Sequence, residues 1–220
     1  VAVSDSTVSQ LRAIFGDENV KQPWTDGDRY TTAAGIADLV SVVASDTARV
    51  IPARALVANG TDDGGFVDAL AASAVSARTG IPVVLVARHM VPEATSGVLS
   101  RLTDGQVIVV GGTAMISDAT YAAVGATARW WGADRYGTAV GVAMGSRSRG
   151  WLTGSMAGIA ATVPDALVGA ATIGRAGGPL LYAGRTTMRL PTAAYLHRSA
   201  GVITRARVYG GPAVIGDGVV

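Results

Sequence analysis

Four phrases in this chain occur twice, in the same order and at nearly the same spacing. Any fold has to accommodate both copies. "GDRYTTA" (Gly27–Ala33) returns as "ADRYGTA" (Ala133–Ala139), 106 residues on. "FVDALAAS" (Phe66–Ser73) returns as "VPDALVGA" (Val163–Ala170), a step of 97. "VPEAT" around Pro92 returns as "LPTAA" around Pro191, and "VVGGTAMISD" (Val109–Asp118) as "VYGGPAVIGD" (Val208–Asp217), each 99 residues on. Ordered matches at one step mean two copies of a unit of about 100 residues, each long enough to be a small domain. The text at Ala2–Leu11 also resembles the stretch after the first Gly-Gly pair, Met115–Val124. Residues 1–25 therefore read as the end of a preceding or permuted repeat, 26–130 as one unit and 131–220 as a second.

Within each unit, apolar runs alternate with Ala-rich helical stretches. Arg54–Gly60, Pro82–Ala87 and Gln106–Gly112 are apolar without polar alternation, as expected of strands in a parallel sheet covered on both faces. Their counterparts in the second copy are expected near Trp151–Gly154, Pro179–Ala183 and Arg207–Tyr209, and Leu152–Gly158 reads as a degenerate version of Val57–Gly65. Helices are expected at Tyr30–Val43, Phe66–Arg78, Pro92–Leu102 and Tyr136–Met144. Strand–helix alternation implies right-handed crossovers, so the fold class is α/β with two tandem doubly wound units. The N-terminal helix, Ser4–Ile14, carries an apolar face of Val8, Leu11 and Ile14. That face is expected to pack on a sheet, either the second unit's or another subunit's.

The repeated polar residues admit two readings. Asp28 and Asp134 each open a helix, where an acid caps free backbone amides, and Arg29 and Arg135 follow them. Asp68 and Asp165 fall in a first helical turn, where negative charge meets the positive end of the helix dipole. Alternatively they face the crevice at the carboxyl ends of the strands, where open α/β sheets bind ligands. Gly111, Gly112, Gly210 and Gly211 suit tight turns without a Cβ, and their amides could receive an anion. Trp24 and Trp130 match, each four residues before the Asp of its D-R-Y. A buried plug or a sugar platform are the two readings, and the plug is favoured. Trp131 and Trp151 have no counterparts.

Composition excludes several functions. The chain has no cysteine, which removes thiol catalysis, disulfides and Cys–zinc sites. No G-x-S-x-G elbow, Walker A sequence or G-x-G-x-x-G occurs. His89 and His197 occupy unmatched positions, so no paired catalytic or metal role is read for them. Asp62 and Asp63 lie in a Gly-rich loop that lacks the spacing of a calcium loop. No cofactor is expected. A net charge of +2 and the lack of Arg–aromatic interleaving argue against nucleic acid, and no apolar run is long enough for a membrane span. Of 18 basic residues only Lys21 is lysine; with abundant Ala this points to a GC-rich, actinobacterial source.

The ordered phrases D-R-Y-x-T-A, A-N-G, D-A-L and V-x-G-G-x-A-x-I-x-D resemble the cell wall-binding repeat, type 2 family, over almost the whole chain. The resemblance implies flavodoxin-like units, secretion to the Gram-positive cell surface and non-covalent anchoring on an anionic wall polymer or peptidoglycan. It also implies further repeats or a homo-oligomer, since tandem repeats in the family usually number three around a pseudo-threefold axis. Two units are visible here, and Val67 stands where the family usually has Pro. The ligand-binding candidates are Asp28, Arg29, Asn59, Asp68, Gly111, Gly112, Asp134, Arg135, Asp165, Gly210 and Gly211. Two other classes compete: a surface-layer or virion component using the repeat for adhesion or assembly, and a duplicated α/β enzyme acting on a sugar or nucleotide. An enzyme would carry its catalytic group once or as a matched acid–base pair, whereas every repeated polar residue here recurs in a turn.

Overall fold

Runs such as "ALVA" and "VIVV" bury side chains on both faces, and only a sheet covered on both sides accommodates them. The structure is a computed structural model that describes residues 3–21, 27–46, 54–61, 64–102 and 105–219. Trp24, Asp62 and Asp63 lie outside the described residues. In the first unit β1 (Arg54–Asn59), β2 (Val83–Val86), β3 (Gln106–Val110) and β4 (Ala126–Trp130) form a sheet in the order β2-β1-β3-β4. In the second, β5 (Met156–Ala160), β6 (Leu180–Tyr182) and β7 (Arg205–Tyr209) form a separate sheet in the order β6-β5-β7. All neighbouring strands are parallel. The shared 2-1-3 order is the start of a flavodoxin-like sheet.

The helices are α1 (Asp5–Phe15), α2 (Arg29–Asp46), α3 (Gly65–Thr79), α4 (Glu93–Ser100), α5 (Asp118–Ala123), α6 (Arg135–Ser148), α7 (Val163–Arg175) and α8 (Leu190–Arg198). No described helix is long and apolar enough to cross a membrane. Helices α2 and α4 pack on one face of the first sheet around Ala55, Val57, Val107 and Val109. The opposite face, with Leu56 and Ile108, joins α3, α6, α7 and the second sheet in one core that spans both units.

Three expectations need correction. The first strand of the second unit is not Trp151–Gly154 but β5, Met156–Ala160. Trp151–Gly154 is a loop braced on the end of α7: the Gly154 amide donates to the Gly177 carbonyl at 2.8 Å, and a Cβ on Gly154 would lie 2.4 Å from the Ala176 carbonyl oxygen. Leu152–Gly158 is thus not the counterpart of Val57–Gly65. Sheet register pairs Arg54 with Gln106 and Met156 with Arg205, so β1 and β5 start 102 residues apart while Asp68 and Asp165 remain 97 apart. The second unit has simply lost most of the β1–α3 loop. Next, β4 has no counterpart among the expected strands; its Ala-Thr-Ala-Arg-Trp text is short and mixed, and it forms because β3 offers a free edge. Finally, Val8 of α1 is buried while Leu11, Ile14 and Phe15 are exposed, so the expected apolar face is covered only in part within the chain.

The units meet along α3 and α7. Both helices present small residues there, Ala71 and Ala74 from α3, Ala170 and Gly174 from α7, all buried. The backbones approach so closely that a Cβ on Gly174 would lie 2.2 Å from the Ala74 carbonyl oxygen. On α3, Leu70 and Ala74 are buried; their counterparts on α7, Leu167 and Ala171, are exposed.

Glycine inside a helix normally costs about 1 kcal/mol relative to alanine. At Gly97 in α4, a Cβ would meet only the end of the Arg101 side chain, at 3.7 Å, so Gly97→Ala should stabilise by up to about 1 kcal/mol. Gly174→Ala should instead destabilise by about 2 kcal/mol or more through overpacking. Urea denaturation of both variants checks this; a neutral or stabilised Gly174→Ala would mean that the two helices do not cross as described.

Candidate functional site

Each Gly-Gly pair ends a strand with the chain in a conformation closed to most side chains: Gly111 and Gly210 both have φ of 117°. The second glycine's carbonyl then starts a helical turn. Gly112 accepts from the Met115 and Ile116 amides at 3.0 and 2.9 Å, and Gly211 accepts from Val214 and Ile215 at 2.9 and 3.0 Å. A Cβ on Gly111 would lie 2.8 Å from Asp68 Oδ2, and one on Gly210 would lie 2.9 Å from Asp165 Oδ2. The acid of each D-A-L phrase therefore lies over the first glycine of its own unit's Gly-Gly turn. Asp and Gly-Gly repeat together because they are one piece of geometry.

The two acids nevertheless differ. Asp165 is half-buried and accepts from the Thr162 hydroxyl at 2.5 Å, while Thr162 caps α7. Asp68 is only 5% exposed and accepts no hydrogen bond among the described residues. Burial pushes its carboxyl up to about 6, against the pull of the Arg135 guanidinium. Arg135 comes from the second unit, so this pairing crosses the junction. Beside it the Tyr182 hydroxyl, at the end of β6, donates to the Val67 carbonyl in the first turn of α3 at 2.6 Å. Burial, with the Asp68 charge adding to it, holds the Tyr182 hydroxyl well above the usual tyrosine range. A narrow cleft between the units is lined by Val67, Arg135, Tyr136, Thr162 and Tyr182.

The D-R-Y phrases begin α2 and α6. Asp28 accepts from the Tyr30 and Thr31 amides at 2.9 and 3.0 Å, and Asp134 from the Gly137 amide at 2.8 Å. Hydrogen bonding, chiefly from the Thr31 amide, holds the Asp28 carboxyl below its ordinary value. The following arginines diverge. Arg29 donates to the Gly60 carbonyl at 2.7 Å and lies 5.2 Å from the Phe66 ring centroid, within its own unit. Arg135 is exposed and donates no hydrogen bond among the described residues; its guanidinium reaches the start of α3 in the other unit, 3.8 Å from where a Cβ on Gly64 would lie. Asn59 is buried; its carbonyl accepts from the Thr61 amide and hydroxyl, both at 2.6 Å, and its amide donates to the Met115 carbonyl. Asn59 thereby ties the end of β1 to the Gly-Gly turn, and its register counterpart in the second unit is Ala161.

Two contributors have no signal in the repeat. Arg129 on β4 donates to the Gly111 and Ile116 carbonyls at 3.0 and 2.9 Å and lies 4.8 Å from the Tyr121 ring. Tyr182 is the other. Trp130 is buried and stacks edge-on with Trp151 at 5.8 Å, with Arg149 over both rings. It is a plug at the junction. Trp131 is 56% exposed beside Gly112. His89 and His197 are both exposed, and no group of side chains suited to hold a metal occurs among the described residues.

A family model for cell wall binding domain 2 (CWB2) matches residues 26–121 and 129–220. The chain belongs to this family. Its two repeats make it a cell-wall binding module. A comparison with curated proteins finds no match. Among solved structures the chain is similar to Cwp6 from Clostridium difficile, with a TM-score of 0.72 and 20% identity over 88% of this chain and 30% of that one. It is also similar to Cwp8 from Clostridium difficile, with a TM-score of 0.68 and 19% identity over 98% of this chain and 36% of that one. The CWB2 chain thus spans about a third of the length of these proteins, and at this identity the likeness is one of fold.

The raised Asp68 carboxyl carries a stability consequence with a definite sign. The folded state holds the proton more tightly than the unfolded chain, so stability is fully present below the ordinary aspartate value near 3.8 and is lost as pH rises through about 6. Asp68→Asn removes the buried charge. At pH 7.5 it should raise Tm by a few degrees, roughly 2–6 °C, and the gain should vanish near pH 4. Differential scanning fluorimetry across pH checks this; a variant less stable than wild type at pH 7.5 would show that Asp68 is held as a favourable ion.

Proposed function

We propose that this CWB2 module anchors its host protein at the bacterial surface by non-covalent contact with an anionic wall polymer, at the carboxyl ends of the two sheets. The observation that carries this reading is Arg135. It is exposed at the mouth of the inter-unit cleft, on the side where open α/β sheets receive ligands, and makes no hydrogen bond among the described residues. A guanidinium presents donors in a fork that matches phosphate and carboxylate groups. Arg29 lies at the matching position of the first unit and, bound to the Gly60 carbonyl, keeps its charge at the same end. The more open groove where α2 and α4 begin is lined by Asp28 and Glu93, so an anionic chain is favoured at the cleft over this groove.

Asp28 and Asp134 act through this contact by capping the helices that carry the arginines. Asn59, Asp68, Asp165 and the Gly-Gly turns shape the floor from which the arginines project. Surface secretion follows from the same reading, since an anchor of this kind works outside the membrane.

Binding to purified Gram-positive cell walls, measured by co-sedimentation, should fall steeply between about 0.05 and 0.5 M salt, because exposed charge pairs are screened over a Debye length of about 10 Å at 0.1 M. Arg135→Ala should weaken binding about three- to tenfold, and the double variant with Arg29→Ala further, with Tm changed by no more than about 2 °C for Arg135→Ala. Wall binding indifferent to salt and to both substitutions would overturn the anionic-polymer reading.

A further inference from the structure

The end of the molecule opposite the Arg135 cleft gathers arginines around one loop. Trp151–Ser155 leads into β5, at the amino ends of the strands. The Arg54 guanidinium, from the first residue of β1, lies 5.5 Å from the Trp151 ring centroid, and that of Arg149, just past α6, lies 5.7 Å from it. Arg147, in the last turn of α6, donates to the Gly154 carbonyl at 3.0 Å. Arg205, the first residue of β7, donates to the Ser155 hydroxyl at 3.4 Å. Arg78, in the last turn of α3, has its Nε 3.8 Å from where a Cβ on Gly177 would lie, and the Gly177 carbonyl accepts from the Gly154 amide. Arg54 and Arg78 come from the first unit and the others from the second, so the cluster straddles the junction.

None of these arginines forms an ion pair among the described residues. Their partners are ring faces, a carbonyl and a hydroxyl, which hold a guanidinium in place and leave its charge uncompensated. The acids Asp68, Glu93, Asp118, Asp134 and Asp165 stand instead at helix starts, by the carboxyl ends of the strands. Helix dipoles favour that division and account for Arg78 and Arg147 in last turns. They do not account for Arg54 and Arg205, which start strands, or for two guanidiniums set over one tryptophan between the units. Positive charge gathered at one end raises the local concentration of anions. Guanidiniums already fixed by stacking also lose little further freedom when an anion binds. Resting on the wall-binding reading above, we propose that the arginines around Trp151–Ser155 form a second polyanion site, which takes phosphate or carboxylate groups of the wall polymer at the amino ends of the strands. The length of α6, about 20 Å, separates this site from Arg135, so the module grips polymer at both ends.

The test compares wild type, the double variant Arg78→Gln with Arg205→Gln, and Arg135→Gln. Both arginines of the double variant are exposed, and their loss leaves the Trp130–Trp151 pair in place. The Trp151 indole N–H signal is followed by NMR as polyphosphate or poly-glutamate is added at low salt, and co-sedimentation with purified Gram-positive walls is measured in the same buffer. The Trp151 signal should shift saturably with at least one of the two polyanions, and the one bound more tightly tells phosphate from carboxylate. In the double variant half-saturation should need about three- to tenfold more polyanion, the size expected of two exposed charge pairs, and wall binding should weaken by a similar factor. Arg135→Gln should weaken wall binding while the Trp151 signal still saturates at the wild-type concentration. A Trp151 signal that moves with neither polyanion, or a double variant that binds polyanion and walls as tightly as wild type, overturns the second site. If the Trp151 titration behaves as expected while no protein sediments with walls, the polyanion site stands and the wall-binding reading fails.

Discussion

The two units approach each other backbone to backbone, where Gly174 of α7 meets the Ala74 carbonyl of α3. No side chain larger than hydrogen fits at that point. The contact is possible only because both helices put glycine and alanine on the facing stripes, which lets dispersion act along two closely set backbones. Each helix also covers its own sheet. The crossing therefore fuses two repeats into one core, in which Leu56 and Ile108 of the first sheet and Ile159 and Leu181 of the second belong to the same cluster. A repeat of this size can hold a small core alone; here it gains a larger one by sharing.

The site follows from the crossing. Once α3 and α7 are set, the start of α6 comes against the first turn of α3. Arg135 of one unit then lies beside Gly64 at the start of α3 in the other, and Tyr182 reaches the Val67 carbonyl. The same D-R-Y and D-A-L phrases give different environments in the two copies: Arg29 stays within its unit, and Asp165 is satisfied by Thr162. Duplication supplies equivalent parts, and the junction makes them unequal.

Much of this is legible in the residues. The apolar runs place β1, β2 and β3 within a residue or two, and the acids at helix starts place α2 and α6. The partnership of Asp with Gly-Gly is not legible, because a repeat reveals what recurs and not what touches. The second unit's first strand is misplaced for a related reason: a step taken from the D-A-L acids does not carry across a loop that has shortened. β4 and Arg129 are invisible because their role depends on the free edge of β3. Tyr182 sits in an ordinary apolar strand, and only the inter-unit packing gives its hydroxyl a partner.

Tyr182 can reach the Val67 carbonyl, and Gly174 the Ala74 carbonyl, only if the two repeats are one cooperative body. Differential scanning calorimetry of the intact chain measures this directly. A single transition with calorimetric and van't Hoff enthalpies in agreement is the predicted result, since the α3–α7 crossing joins the two units in one shared core. Two resolved transitions, or a calorimetric enthalpy about twice the van't Hoff value, would mean that the units unfold independently and that the crossing is an incidental contact.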